Sequence, residues 1–433
     1  MLVLFVTAAI FSAVAPGPAA DSSAAKVKTT TMTLEQALER ALANSPHIKA
    51  ATAATEAAAG HVRQSKMRPN PEIELETENF AGGGELTGFD GAKSSIIISQ
   101  SFELGGKRNA RMGVAASMME RSSISEDASR SEIIRSVVSA YVEALIAQER
   151  VQIIEDLKGT AGKLYAAVQK KVQAGKVSPL EEKRAQIENA TAELSLKQAL
   201  ERKRRSYIAL AATMGESTRV FEQLSGNVFN YVQPLSAETY LANLNNAPAF
   251  RDIAQEMNIR RAEIKLEKSL RTPNLNLSGG YRRLNDLGEN AFMASFSISL
   301  PIFDRNQGAI AASEANLRRS QYEQQAVEIS LRSRILALHS HLVASFETVQ
   351  KFEMTVLPAA WDVMLDMKKG YDAGKFSYLE MLDAQRTYFE LRKEFLGFVG
   401  DYHNTSLELL SIVAFPKDAN LPDPFEYIKG AEK

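Results

Sequence analysis

The sequence predicts a mainly α-helical chain with a β-barrel part, in which long coiled-coil helices carry four short strands that complete a wall with other copies. Three observations predict this class. The chain repeats itself at an offset of about 200 residues, its long helices carry a seven-residue apolar seam, and four segments of 9–11 residues alternate apolar and polar side chains.

Composition narrows the function first. The 433 residues carry a net charge of −1, which gives no electrostatic footprint for nucleic acid. The chain has no cysteine, so disulfides, thiolate metal sites, cysteine nucleophiles and a lipid on an N-terminal cysteine are excluded. Residues 2–15 are apolar and are followed by small residues, so residues 1–20 read as a secretory signal. No other stretch reaches 18 apolar residues, which excludes helical membrane spans but leaves a β-barrel open.

The repeat is collinear. Ala174-Gly175-Lys176-Val177-Ser178-Pro179-Leu180-Glu181 matches Ala373-Gly374-Lys375-Phe376-Ser377-Tyr378-Leu379-Glu380 at six of eight positions, and Ala185-Gln186 matches Ala384-Gln385. Upstream, Pro46 and Pro71 fall opposite Pro248 and Pro273 at equal spacing. Residues 21–230 therefore read as a first repeat and 231–415 as a second, with 416–433 an irregular tail. Each repeat reads helix, strand, strand, long helix, helix. The first places helices over 33–66, 108–174 and 179–214 and strands over 71–80 and 94–104. The second places helices over 236–270, 308–373 and 377–413 and strands over 273–283 and 292–302, with Pro358 expected to kink the long segment.

The seam explains the length of the helices. Ile133, Val137, Ala140, Ala144, Ala147, Val151 and Ile154 are spaced 4, 3, 4, 3, 4, 3, as are Leu331, Ile335, Leu338, Leu342, Ser345, Val349 and Phe352. This is the spacing of helices packed along their whole length. About 65 residues of helix span roughly 95–100 Å, longer than a compact domain. A helical tube and a soluble rod both satisfy the seam.

The strands separate those readings. Ile73, Leu75 and Thr77 alternate with Glu72, Glu74, Glu76 and Glu78; Ile96, Ile98, Phe102 and Leu104 alternate with Ile97, Ser99, Ser101 and Glu103. Leu275, Leu277 and Tyr281 alternate with Asn274, Asn276, Ser278 and Arg282; Phe292, Ala294, Phe296, Ile298 and Leu300 alternate with Met293, Ser295, Ser297 and Ser299. The length suits a tilted crossing of an outer membrane, and the apolar faces suit lipid. Four strands cannot close, and open edges cannot face hydrocarbon, so several chains must combine; three would supply twelve strands. The carboxylates of Glu72, Glu74, Glu76 and Glu78 would then line the lumen, either as a solvated polar face with no selective role or as a field that favours cations.

No catalytic constellation is visible. His339 and His341 face different sides of one helix, and His47, His61 and His403 have no obvious partners, so neither a metal site nor a cofactor is expected. Met118-Met119 and Met364 with Met367 read as packing. Gly82-Gly83-Gly84 lacks the Lys-Ser/Thr of a phosphate loop. No nucleophile–base–orienter set marks an enzyme.

The repeat, the strands and the segment Tyr371-Asp372-Ala373-Gly374, with Ser377, Leu379, Leu382, Asp383, Ala384 and Gln385, together resemble the TolC family of outer-membrane efflux channels. The corners Glu103-Leu104-Gly105-Gly106-Lys107-Arg108 and Leu300-Pro301-Ile302-Phe303-Asp304-Arg305-Asn306-Gln307-Gly308 resemble its heavy-metal branch. The resemblance covers about residues 33–414. It implies a homotrimer with a twelve-stranded barrel in outer-membrane lipid and a helical barrel in the periplasm. Its partners would be a periplasmic adaptor and an inner-membrane RND pump. It also implies a gate at the helical tips, with Tyr371 as the linking tyrosine, Glu181 as its acidic partner, and Glu380 and Asp383 as ring-forming acids. The i,i+3 spacing of Glu380 and Asp383 independently puts both on one helix face. Phe376 stands where the family prototype has an arginine, which removes one arginine–carboxylate latch. Drug-efflux and protein-export channels share this fold, and a periplasmic coiled-coil or adaptor subunit is the reading from another class.

Overall fold

Proline and glycine decide where the elements begin and end. The structure, a computed structural model, describes residues 31–218 and 221–413; the expected secretory signal and the tail lie outside the described residues. β1 (Thr31–Met32) leads into α1 (Leu34–Asn44), closed at its start by a capping box between Thr33 and Gln36. α2 (Pro46–Ser65) follows at once, so the single helix expected over 33–66 is two. Pro46 disfavours helical backbone at Ser45 and itself suits the first helical position.

β2 (Glu72–Glu78) and β3 (Lys93–Phe102) form a hairpin, and Gly106, at φ +73°, turns the chain into α3 (Lys107–Gln173). With 67 residues, α3 is about 100 Å long. α4 (Pro179–Thr213) runs back along it. β4 (Gln223–Leu224) pairs in parallel with β1, a long-range contact too short to leave a pattern in the sequence.

The second half repeats the order. The helix expected over 236–270 is again broken, into α5 (Ala237–Ala242), a short 3₁₀ turn and α6 (Pro248–Leu270), with Pro248 at the first helical position. β5 (Leu275–Leu284) and β6 (Glu289–Ile298) form the second hairpin. β6 begins three residues before the expected strand and ends at Ile298, because the joining turn is only residues 285–288, with Gly288 at φ +67°. α7 (Gln307–Lys351) passes through a π turn (Phe352–Val356) into α8 (Leu357–Asp372), and α9 (Tyr378–Ile412) returns. Pro358 does not end the helix. It sits in the first turn of α8, and the wider π turn before it accommodates the missing N–H.

Both seams are packed. Val137, Ala144, Ile335, Leu342 and Val349 are buried in the main core, against which Ile133, Ala140, Leu331, Leu338 and Phe352 pack partly buried; Ala147 and Ser345 are buried too, and Val151 and Ile154 are buried in a smaller cluster with Ala199. The main core is closed laterally by the segment 225–236. Tyr402 Oη donates to Val232 O at 2.7 Å, His403 Nε2 to Val228 O at 2.7 Å, and His339 Nε2 to Leu235 O at 2.8 Å. Tyr141 Oη donates to Met32 O at 2.9 Å, tying β1 to α3.

The four hairpin strands form one antiparallel sheet in the order β2-β3-β5-β6, so β2 and β6 are unpaired edges. Gly280 is required where β5 crosses β3, since a Cβ there would lie 2.6 Å from Ile96 O.

Candidate functional site

The register assigns every strand residue to a face. Ile73 pairs with Ile98 and Leu75 with Ile96; Ile96 pairs with Tyr281 and Phe102 with Leu275; Tyr281 pairs with Phe292 and Leu277 with Phe296. These residues form one continuous apolar face, and it is exposed: Leu75 is 75 %, Phe296 76 % and Phe292 90 % accessible. An uncovered face of this extent is costly in water and suits hydrocarbon. Among the described residues no helix is long and apolar enough to cross a membrane, so the sheet alone offers a spanning surface.

The opposite face holds Glu72, Glu74, Glu76 and Glu78, set across from Ser99, Ile97, Ser95 and Lys93. Sequence reasoning gave these carboxylates a free field. The structure adds Arg282, whose Nη2 lies 3.7 Å from Glu76 Oε2 and whose Nε donates to Ser95 Oγ at 2.9 Å. Its position in the β5 alternation was legible, but its pairing depended on the β3–β5 register.

At the far end of the helices two hairpin tips lie together. In the first, Gly175 adopts φ +68°, Lys176 N donates to Lys171 O at 2.8 Å, and Ser178 Oγ caps α4 by accepting from Leu180 N at 3.2 Å. In the second, Gly374 adopts φ +73°, Lys375 N donates to Gly370 O at 2.8 Å, and Ser377 closes a capping box with Glu380. The glycine turn is thus the same in both, whereas only the second tip completes a capping box. The tips share a small core of Val168, Ala185, Tyr371, Tyr378, Met381 and Leu382. Lys171 bridges them, with Nζ 4.0 Å from the centre of the Tyr371 ring and 3.8 Å from Asp372 Oδ1.

The four tip residues singled out in the sequence divide into two groups. Tyr371 is buried, and its Oη has no hydrogen-bond partner among the described residues; the same holds for Glu181 Oε2, so no bond joins this pair directly. Burial, then the charges of Glu181 and Asp372, push the Tyr371 phenol up from its usual range. Glu380 and Asp383 are exposed and line one groove of about 400 Å³ between α8 and α9, with Ala360, Val363 and Thr387. Glu380 Oε2 also accepts from Ser377 N at 2.8 Å, and that backbone hydrogen bond holds its carboxyl below the ordinary range.

Sequence reasoning gave no role at the site to four contributors. Tyr378 Oη and Gln385 Nε2 are buried beside Tyr371 without partners among the described residues, and burial pushes the Tyr378 phenol up to about 12. Arg386 pairs with Glu188, joining α9 to α4 next to the tip core. Gln385 lay in the repeated Ala-Gln, so its recurrence was the available signal; Glu188 and Arg386 had none, because they are 198 residues apart.

The family description "Outer membrane efflux protein" matches residues 37–216 and 240–414. The cobalt-zinc-cadmium resistance protein CzcC of Cupriavidus metallidurans is 32 % identical over 375 residues, covering 87 % of this chain and 88 % of that protein. The nickel-cobalt-cadmium resistance protein NccC of Alcaligenes xylosoxydans is 25 % identical over 307 residues, 69 % of each. Among solved structures, CusC superposes with a TM-score of 0.70 at 17 % identity, covering 88 % of this chain and 92 % of that one, which shows the shared fold. With its exposed apolar sheet and its long paired helices, the chain belongs to the outer membrane efflux proteins, a family of channels rather than enzymes that sit in the outer membrane and extend into the periplasm.

Proposed function

We propose that this chain is the outer-membrane channel of a tripartite export system for heavy-metal cations, acting as a homotrimer with a periplasmic adaptor and an inner-membrane RND pump. The observation that carries the assembly is the open sheet. β2 and β6 each leave a row of backbone N–H and C=O groups without partners, which hydrocarbon does not tolerate. β2 and β6 run in opposite senses, so β6 of one copy beside β2 of the next continues the antiparallel order, and three copies reach twelve strands. The two repeats, 21–230 and 231–415, would each supply one hairpin and one tip. Glu72, Glu74, Glu76 and Glu78 then line the lumen, and Tyr371, Glu181, Glu380 and Asp383 form the periplasmic gate. No chemistry is needed here: substrate passes down the duct and the pump supplies the energy. The resistance to cobalt, zinc, cadmium and nickel in the relatives' names supports divalent heavy metals as the cargo.

The test is direct. Purified in detergent, the protein should have the mass of three copies and conduct ions in a planar bilayer. Cells lacking the gene should lose tolerance to one or more of these metals and regain it with the wild-type copy. A detergent-free monomer without conductance would end the channel reading; unaltered metal tolerance with altered drug tolerance would move it to the drug-efflux branch.

A further inference from the structure

The polar sheet face is not uniformly acidic, and the basic residue in its interior has a defined geometry. Four rows cross the sheet. Glu72 aligns with Ser99, Ser278 and Ser295; Glu74 with Ile97, Gly280 and Met293; Glu76 with Ser95, Arg282 and Ala291; Glu78 with Lys93, Leu284 and Glu289. The first two rows, next to the helices, each carry one uncompensated carboxylate. The third carries equal and opposite charges, with Arg282 Nη2 3.7 Å from Glu76 Oε2. The fourth has two carboxylates and one lysine. Glu76 is the residue of β2 that is half-covered, while its neighbours on the strand are exposed. Ser95, which accepts from Arg282 Nε at 2.9 Å, is 3 % accessible. The guanidinium therefore lies across the sheet instead of extending away from it.

We propose that Arg282 sets the ion preference of the channel. It neutralises the Glu76 row and confines the uncompensated carboxylates to Glu72 and Glu74 at the helical end and to the outer rim. In a trimer three guanidinium groups would stand one row in from the outer turns of the barrel, where low-dielectric walls focus their field on the permeating ion. The inference rests on the reading that this face lines the lumen, and the experiment keeps the two separable.

Full-length protein is inserted in planar bilayers under a KCl gradient, and potassium and chloride report the cation-over-anion permeability ratio. At about 0.01 M salt, where the screening length is about 30 Å, Arg282→Ser raises this ratio about twofold or more. Glu76→Gln lowers it, and the double variant Glu76→Gln/Arg282→Ser returns towards wild type, because the row is neutral again. A ratio unmoved by Arg282→Ser, or a double variant that behaves like the single one, overturns the proposal. The absence of cysteine permits the control. With Ser99→Cys, a charged aqueous thiol reagent should reduce the current; with Ile98→Cys, on the apolar face, it should not. The reverse pattern refutes the lumen assignment itself, whereas a reactive Ser99→Cys with a silent Arg282→Ser refutes only the role of the arginine.

Discussion

The ring of Phe376 lies directly on the backbone of Gly370, so that a Cβ on Gly370 would fall 2.1 Å from Phe376 Cδ2. A phenyl ring packed on glycine thus holds the second tip where the family prototype places an arginine. Gly370→Ala should displace the ring at a cost of about 1–3 kcal/mol. Hydrogen exchange across residues 370–377 should accelerate, and the resting conductance should rise. Unchanged exchange in this segment would show that the contact does not hold the tip.

Substituting Glu380 and Asp383 together by alanine should change single-channel conductance and reduce cation preference, since both acids face one groove. No change would remove them from the gate.

Glu380 also gives the tip a pH dependence. Its carboxyl is held below the ordinary range in the folded chain, so its contribution to stability is complete above the unfolded value of about 4.5 and is lost as pH falls through the folded one. Hydrogen exchange at residues 377–381 should speed up in acid. In Glu380→Gln, which lacks the titrating group, that pH dependence should disappear.

Tyr371→Phe separates folding from gating. The hydroxyl has no partner among the described residues, so its loss should leave thermal stability unchanged or raise it by about 1 kcal/mol. If the hydroxyl binds a neighbouring copy in the closed trimer, the same variant should increase resting conductance. A large drop in melting temperature would mean that the hydroxyl is satisfied within the chain.

His403 offers a second pH test, remote from the tips. Burial holds its imidazole below 6.5, outweighing the opposing effect of the bond to Val228 O. The folded chain therefore binds fewer protons than the unfolded one as pH falls below about 6.5, and stability should decline from there towards the folded value. Thermal melts should show a steeper loss as pH falls below about 6.5 in wild type than in His403→Gln, which itself costs about 1–3 kcal/mol through the altered bond. Identical slopes would place the acid sensitivity elsewhere.

Periodicity alone determined much of this protein. The seam from Ile133 to Ile154 and the alternation from Glu72 to Glu78 are local patterns fixed by 3.5- and 2-residue repeats, and both are packed or exposed as those repeats require. The tips were legible because a glycine with positive φ followed by a serine cap is a local device. Pro46 and Pro248 are visible in the sequence, but within an apolar-periodic run a proline marks the repeat as readily as a new helix start. What only the tertiary structure decided are contacts between distant residues: the β1–β4 pair, Arg386 against Glu188, the unpartnered cluster around Tyr371, and Arg282 beside Glu76. Strand register and helix docking choose such partners, and neither leaves a trace in the neighbouring residues, because the interacting groups meet only after the chain has closed loops of tens to hundreds of residues.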